Sequence, residues 1–216
     1  IANGETIIAP GVYDMISMTI AQKVGFPALF VGGFGISASH VGIPDVGIMT
    51  FTDMLDRVRM ISNSSAKPII VDADTGYGGL VNLRHAVRNY EQVGVSAIQI
   101  EDQVFPKRCG HAKGVEICST DEMLKRIGVV VETRNSDDFL LIARIESLIM
   151  NKGLNDALKR AEIYSKAGAD AILIHSKEKT PKEIFSFAKV FRKSKNFIPL
   201  VSVPSTYSKV YEKDLI

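Results

Sequence analysis

Three carboxylates stand at the ends of two apolar runs. Asp72 and Asp74 close the first, in Val71-Asp72-Ala73-Asp74-Thr75-Gly76-Tyr77-Gly78, and Glu101 closes the second, Ala97-Ile98-Gln99-Ile100-Glu101. Side chains at i and i+2 share a face of a strand, so Asp72 and Asp74 point the same way. Glu101 joins them if the two strands are neighbours. Carboxylates held together repel unless a cation or a shared proton relieves them. Three oxygen donors without a His or Cys ligand set suit a hard ion, Mg²⁺ or Mn²⁺. Turn formation or capping accounts for Asp74 ahead of Gly76, but not for the aspartate pair together with Glu101.

A second group follows at once. Residues 102–111 read Asp102-Gln103-Val104-Phe105-Pro106-Lys107-Arg108-Cys109-Gly110-His111, with two cations, a thiol, a glycine and an imidazole in the last five. Each of these groups would need a partner if buried in a core, so the segment reads as a loop over a cleft. Lys107 and Arg108 lower the pKa of a neighbouring thiol and ready Cys109 for proton transfer, whereas Cys118, after Val115-Glu116-Ile117, reads as packing. Arg144 and Glu146 share a face at the end of a later run, and an arginine there is a bidentate clamp for a carboxylate or phosphonate; a structural ion pair with one of the aspartates is the alternative. His175 ends another run, either as a site group or as a satisfied core histidine. The glycines of Gly32-Gly33-Phe34-Gly35 let backbone approach an anion, a weak signal alone. Asp45 lies in the loop that follows, while His40 and His85 read as structural, without polar company.

The elements that must position these groups alternate. Strands are expected at Thr6–Ala9, Ala28–Val31, Pro68–Asp74, Ala97–Glu101, Phe139–Arg144, Ala171–His175 and Ile198–Val203. Helices are expected near 14–24, 51–63, 81–93, 121–133, 154–167 and 181–193. Glycines 25, 94 and 168 sit where helices should stop in a left-handed cap. Strands alternating with helices imply a parallel sheet. Polar groups collected after strand C-termini, without a G-x-G-x-x-G turn after the first strand, favour a (β/α)8 TIM-type barrel over a doubly wound sheet. The eighth strand and the helices after it are not found before Ile216, and the start at Ile1 lacks a methionine. Both observations lead to the expectation that the native protein extends beyond 1–216, here read as one domain.

Lys plus Arg number 26 and Asp plus Glu 24; this balance argues against nucleic acid or an anionic membrane as a partner. No apolar run reaches membrane-spanning length, and no signal peptide is evident. Two cysteines in a chain this long favour a reducing compartment, hence a cytoplasmic location.

The Asp72–Gly78 and Ile100–His111 stretches resemble the isocitrate lyase/phosphoenolpyruvate mutase superfamily, and the resemblance runs along nearly the whole chain. It implies a (β/α)8 barrel, a homo-oligomer (dimer or tetramer) with the last helix swapped between paired subunits, and Mg²⁺ as cofactor. By position, Asp72 would bind the metal directly, and Asp74 and Glu101 would hold it through water. Gly32, Gly33 and Phe34 would offer N–H groups to an α-keto acid carboxylate, with Asp45 near metal and substrate. Arg144 would clamp the substrate, and His175 would join the substrate-binding set. Lys107 to His111 would close as a lid, with Lys107 and the general acid Cys109 as catalytic groups and Gly110 and His111 contacting substrate.

The lid resembles the lyase branch, 2-methylisocitrate lyase in particular. Arg144-Ile145-Glu146, Ile174-His175-Ser176-Lys177 and Val203-Pro204-Ser205 resemble the phosphoenolpyruvate mutase and phosphonopyruvate hydrolase branch instead. The expectation is a Mg²⁺-dependent C–C lyase cleaving a 2-hydroxy di- or tricarboxylate to an α-keto acid. A phosphonomutase or phosphonopyruvate hydrolase is the alternative, and a non-catalytic dicarboxylate-binding barrel a weaker one.

Overall fold

A computed structural model describes residues 6–109 and 114–214. Its seven strands are β1 (Gly11–Val12), β2 (Leu29–Val31), β3 (Ile69–Asp72), β4 (Ala97–Glu101), β5 (Leu140–Ile145), β6 (Ala171–Ile174) and β7 (Leu200–Val201). All neighbours pair in parallel and the order across the sheet follows the chain. A doubly wound sheet would reverse that order partway. This one never does, so the helices all lie on one face and the sheet curls as a seven-stranded part of a TIM-type barrel. The helices are α1 (Met15–Val24), α2 (Gly33–Ile36), α3 (Phe51–Ser64), α4 (Leu80–Gln92), α5 (Thr120–Thr133), α6 (Leu154–Lys166) and α7 (Lys182–Phe191).

The alternation along the strands sorts the interior into two layers. Leu29, Val31, Ile69, Val71, Ile98, Ile100, Leu141 and Ala143 belong to the large core between sheet and helices. The opposite phase fills the concave side. Ala97, Ile142, Ala171 and Leu173 form a separate apolar cluster there, with Ile70, Leu140 and Val201 against it. One step further toward the strand C-termini, the same phase turns polar, at Asp72, Gln99, Glu101 and Arg144. In register, Asp72 lies beside Gln99, and Glu101 beside Arg144.

Several element ends follow from local chemistry. Asp14 caps α1, its Oδ1 accepting from the Ser17 N–H at 2.7 Å, and Thr50 and Asp53 form the reciprocal box at the start of α3. Gly25, Gly94 and Gly168 take positive φ of 96°, 83° and 103°, as expected of caps.

Three expectations need correction. The first strand is Gly11–Val12, not Thr6–Ala9. Pairing with β2 begins where Pro10 accepts from the Phe30 N–H at 3.0 Å, which leaves Ile7 and Ile8 exposed upstream of the sheet. Strand three ends at Asp72, because Asp74 has φ +49° and leaves the extended region. The glycine segment after β2 is helical. Gly33–Ile36 run as α2 into a π-turn over Ser37–Val41, a helix too short and glycine-rich for periodicity to reveal. Among the described residues no helix is long and apolar enough to cross a membrane.

Candidate active site

The polar layer at the C-terminal end of the sheet separates into two clusters. The first is built on Asp74, Asp45 and Lys107. Lys107 is buried, and its Nζ lies 2.6 Å from Asp45 Oδ1 and 2.8 Å from Asp74 Oδ1. It is carried there by a short stem: Gln103 bridges Ile117 in antiparallel fashion, and the Val104 N–H donates to Glu116 O at 2.8 Å. Arg126 on α5 fixes the base of the stem by donating to the carbonyls of Glu101 and Gln103 at 3.0 and 2.8 Å. The Cys109 N–H donates to Asp45 O at 3.2 Å, which holds the half-buried Cys109 beside this cluster. Gly110 and His111 lie outside the described residues.

Asp72 faces the same space. Its Oδ1 accepts from the Asp74 N–H at 3.2 Å and from Gln99 Nε2 at 3.3 Å. Gly33, at the start of α2, adjoins both carboxylates: a Cβ there would stand 3.6 Å from Asp74 Oδ1 and 4.0 Å from Asp72 Oδ2. The Phe34 side chain points to solvent, so only the backbone of this segment can serve the site. Burial pushes the Asp74 carboxyl up to about 7 against the pull of Lys107, and the Asp72 charge adds to the rise. Burial opposes the charged form of Lys107, but the surrounding carboxylates, Asp74 first, outweigh it and hold the ammonium protonated.

The second cluster joins β4, β5 and β6. Arg144 Nε pairs with Glu146 and lies 3.4 Å from Glu101 Oε2. Its NH2 is 2.9 Å from His175 Nδ1, which in turn lies 3.0 Å from Glu146 Oε2. Burial raises the pKa of Glu146, but Arg144 and His175 overcome it and bring the carboxyl down to about 2. Glu101 goes the other way: burial pushes it well above the usual carboxylate range, Arg144 notwithstanding, with Glu146 and Asp72 adding like charge.

Among the described residues no three carboxylate, imidazole or thiol groups close around a common point; the cation between Asp45 and Asp74 belongs to Lys107. The donor set nevertheless fits a hard divalent ion. Glu101 Oε1 and Gln99 Oε1 are buried without a hydrogen-bond partner, and Asp74 Oδ1 meets Lys107 at ion-pair distance but outside hydrogen-bond geometry. The bare Cα of Gly33 leaves room against Asp72 and Asp74. Buried acceptors without donors are costly unless a cation or proton answers them.

The structure thus brings Gly33, Asp45, Asp72, Asp74, Lys107 and Cys109 to one side, and Arg144 and His175 to the other, with Glu101 between them. It corrects the ion-pair alternative for Arg144, whose partners are glutamates rather than aspartates. His40 also has polar company, its Nδ1 lying 2.8 Å from Arg57 NH2. Three buried groups escape a search for sites by residue type. Gln99 was hidden inside an apolar strand, where its phase, shared with Glu101, was the available signal. Glu146 was noted only as a neighbour of Arg144. Asp102, one residue out of phase, points to the helix side, where its Oδ2 accepts from Arg160 NH1 at 3.0 Å and Tyr164 OH at 2.9 Å. Its Oδ1 accepts from the Glu146 N–H at 2.9 Å, so it ties α6 to the end of β5.

The same arrangement of chain occurs in known proteins. A crystal structure of phosphoenolpyruvate phosphomutase from Streptomyces platensis subsp. rosaceus matches with a TM-score of 0.92 at 36% identity, covering 98% of this chain and 72% of that one. Phosphonopyruvate hydrolase in complex with oxalate and Mg²⁺ matches with a TM-score of 0.90, also at 36% identity, over 99% of this chain and 72% of the other. In sequence, 2,3-dimethylmalate lyase of Eubacterium barkeri is 45% identical over 172 residues, which is 80% of this chain and 59% of that protein. This chain therefore spans about three-fifths of the length of that relative. With the phosphoenolpyruvate phosphomutase family model matching residues 1–215, the chain belongs to that family, and so to the isocitrate lyase/phosphoenolpyruvate mutase superfamily.

Proposed function

We propose that the protein is a divalent-metal-dependent C–C lyase that cleaves a 2-hydroxy di- or tricarboxylate to an α-keto acid and a carboxylate, working within one barrel domain. The observation that carries this reading is the seat of Cys109, tied through its N–H to the carbonyl of Asp45. With its backbone anchored beside the carboxylate and ammonium cluster, this residue would bring a thiol within the region where a carbanion could take its proton. C–C cleavage requires such a donor, as does hydrolysis of a P–C bond, whereas migration of a phosphoryl group within the substrate does not.

Asp72, Asp74 and Glu101 are the residues that would hold the ion, Mg²⁺ by preference. When bound, a divalent cation lowers the pKa of a substrate hydroxyl and neutralises the keto acid carboxylate. The chain's own groups do the rest. A base takes the hydroxyl proton, and the bond from the hydroxyl carbon to its neighbour breaks. The electron pair moves onto that neighbour as an enolate, and Cys109 supplies its proton. Arg144 offers the charge that stabilises the developing anion. Closure of the stem-borne loop over the site would keep water from competing for the enolate.

A second reading is supported by the Arg144–Glu146–His175 cluster. An arginine and an imidazole 2.9 Å apart suit a phosphonate, and the protein would then act on phosphonopyruvate. Cys109→Ser separates the two. Keto acid release from hydroxy acids should fall on the order of 10²-fold or more, as expected for loss of a general acid. An unchanged rate on phosphonopyruvate, with no keto acid from hydroxy acids in the wild type, would favour the second.

A further inference from the structure

Asp102 is fully buried, takes no part in the chemistry set out above, and accepts a hydrogen bond at every one of its oxygens. It stands where β4 parts from β5. Up to Arg144 the two strands follow the regular parallel pattern, and the Asp102 N–H donates to Arg144 O at 3.2 Å. The next rung of such a ladder would take the Glu146 N–H to the Asp102 carbonyl. That carbonyl is engaged elsewhere, accepting from the Cys118 N–H at 2.9 Å on the return leg of the stem. The Asp102 side chain fills the rung instead, its Oδ1 accepting from the Glu146 N–H at 2.9 Å. One residue therefore fixes both Glu146 and the foot of the stem.

The carboxylate is itself held from behind. Its Oδ2 accepts from Arg160 NH1 at 3.0 Å and from Tyr164 OH at 2.9 Å, both on α6. Arg160 NH1 also donates to Cys118 O at 3.1 Å, so the return leg is held at both polar atoms of one residue. Arg160 Nε donates to Asp156 Oδ2 at 3.0 Å, and Ser147 Oγ donates to the same oxygen at 2.7 Å. Docking a helix does not call for a buried ion pair, because apolar groups of similar volume often do as well or better. What the pair supplies is direction. Glu146 meets Arg144 and His175, so the aim of both depends on where the Glu146 peptide sits.

We infer that Asp102, backed by Arg160 and Tyr164, is a positioning residue for the anion-holding side of the site. It acts through Glu146 and not on the substrate. Asp102 sets the Glu146 backbone, and Glu146 sets Arg144 and His175. The same residue anchors the return leg of the loop that carries Lys107 and Cys109. The inference holds for the C–C and P–C readings alike, because both place an anion at Arg144.

Asparagine is the informative replacement. Its side chain has one accepting and one donating end, so its NH2 group must meet either the Glu146 N–H or Arg160 NH1, and one side of the junction is lost. At saturating Mg²⁺, calorimetric affinity for oxalate should fall about tenfold in Asp102→Asn, the scale on which groups that orient a ligand-holding residue are felt. Glu146→Gln should cause a loss of similar size. The double variant should lose no more than either, because residues in one chain of contacts are not additive. Losses that multiply to about 100-fold, no loss in Asp102→Asn, or no loss in Glu146→Gln overturn the inference; a residue that merely stabilises the fold gives one of the first two. A second readout needs neither metal nor ligand. In ¹H–¹⁵N spectra of the imidazoles, with His175 assigned by its loss in His175→Asn, the His175 ring signals should move in Asp102→Asn in the direction seen in Glu146→Gln, while those of His40 and His85 stay in place. Unmoved His175 signals overturn the inference. If oxalate does not bind to the wild type, the metal-site reading fails and these signals alone decide. Should Asp102→Asn not fold, Tyr164→Phe replaces it in both measurements and is judged by the same criteria. It removes one donor to Oδ2 and should weaken oxalate about threefold, the scale of one hydrogen bond.

Discussion

Asp74 and Glu146 are two buried carboxylates at the same end of one sheet, and their acidities move apart. Asp74 rises to about 7 and Glu146 falls to about 2. Both are removed from water, so burial alone does not distinguish them. Partners do. Glu146 is met by both Arg144 and His175, although Arg144 also lies 3.4 Å from Glu101 Oε2. Asp74 shares a single lysine with Asp45 and faces Asp72 as well. One side of the barrel mouth is thus closed electrostatically, and the other holds more negative charge than its own chain neutralises. Net acidity with unpartnered oxygens is where an external cation belongs, whereas a self-satisfied cluster is suited to orienting a substrate.

The strongest way to break this contrast is to remove charge from the open side. Asp72→Asn should lower Mg²⁺-dependent turnover by at least about 10²-fold, the scale on which disturbed metal ligation is felt. Its thermal stability without metal should hold, because the substitution relieves repulsion with Asp74. Turnover and metal-free melting, measured on the same preparation, decide the point. A variant that keeps its Mg²⁺ response would show that Asp72 is only a turn former.

The closed side should respond in the opposite way. Glu146→Gln takes from Arg144 its nearer buried carboxylate and leaves Glu101 at 3.4 Å, and breaking such a pair costs on the order of 3 kcal/mol. For a chain of this size that lowers Tm by about 6–12 °C. The pH dependence has a fixed sign. The folded carboxyl lies below its ordinary value of 4.5, so its stabilisation is complete above that value and is lost as pH falls through about 2. Denaturant titrations between pH 5 and pH 2.5 should therefore show a steeper loss for the wild type than for Glu146→Gln. Parallel slopes would mean that Glu146 is not held by Arg144 and His175 in solution.

Much of this contrast was legible before any coordinates. The i, i+2 rule put Asp72 with Asp74 and Arg144 with Glu146, and the adjacency of strands three and four added Glu101, while the register that sets Glu101 beside Arg144 was not foreseen. The same rule would have sent Asp102 outward to Arg160, and placed Gln99 beside Asp72, had each residue of the strand been phased rather than its end alone. The contacts of Lys107 were not legible. They join its loop to Asp45 and to Asp74, 62 and 33 residues earlier in the sequence, with no periodicity in these segments to set their approach. The first strand failed for a related reason. Ile7 and Ile8 have strand propensity, but pairing is decided by the neighbour, and β2 offers its first donor to Pro10.

The finest test falls on Gly33, where the needs of the fold and of the site diverge. Gly33 is the first residue of α2 and has no side chain to offer. Alanine is the better helix former by up to about 1 kcal/mol in a helix interior, and the added methyl would meet Asp74 Oδ1 at 3.6 Å, an ordinary contact. By stability alone, Gly33→Ala should be neutral or slightly favourable, with Tm unchanged or raised by about 1–3 °C. The methyl would nevertheless occupy the space against Asp72 and Asp74 that a metal-bound acid needs. Mg²⁺-dependent binding of oxalate, followed by calorimetry, should weaken by about tenfold while the melting temperature does not fall. Loss of both together would make Gly33 a packing residue. Loss of affinity alone would mean that the glycine keeps the open cluster accessible at the expense of helix stability.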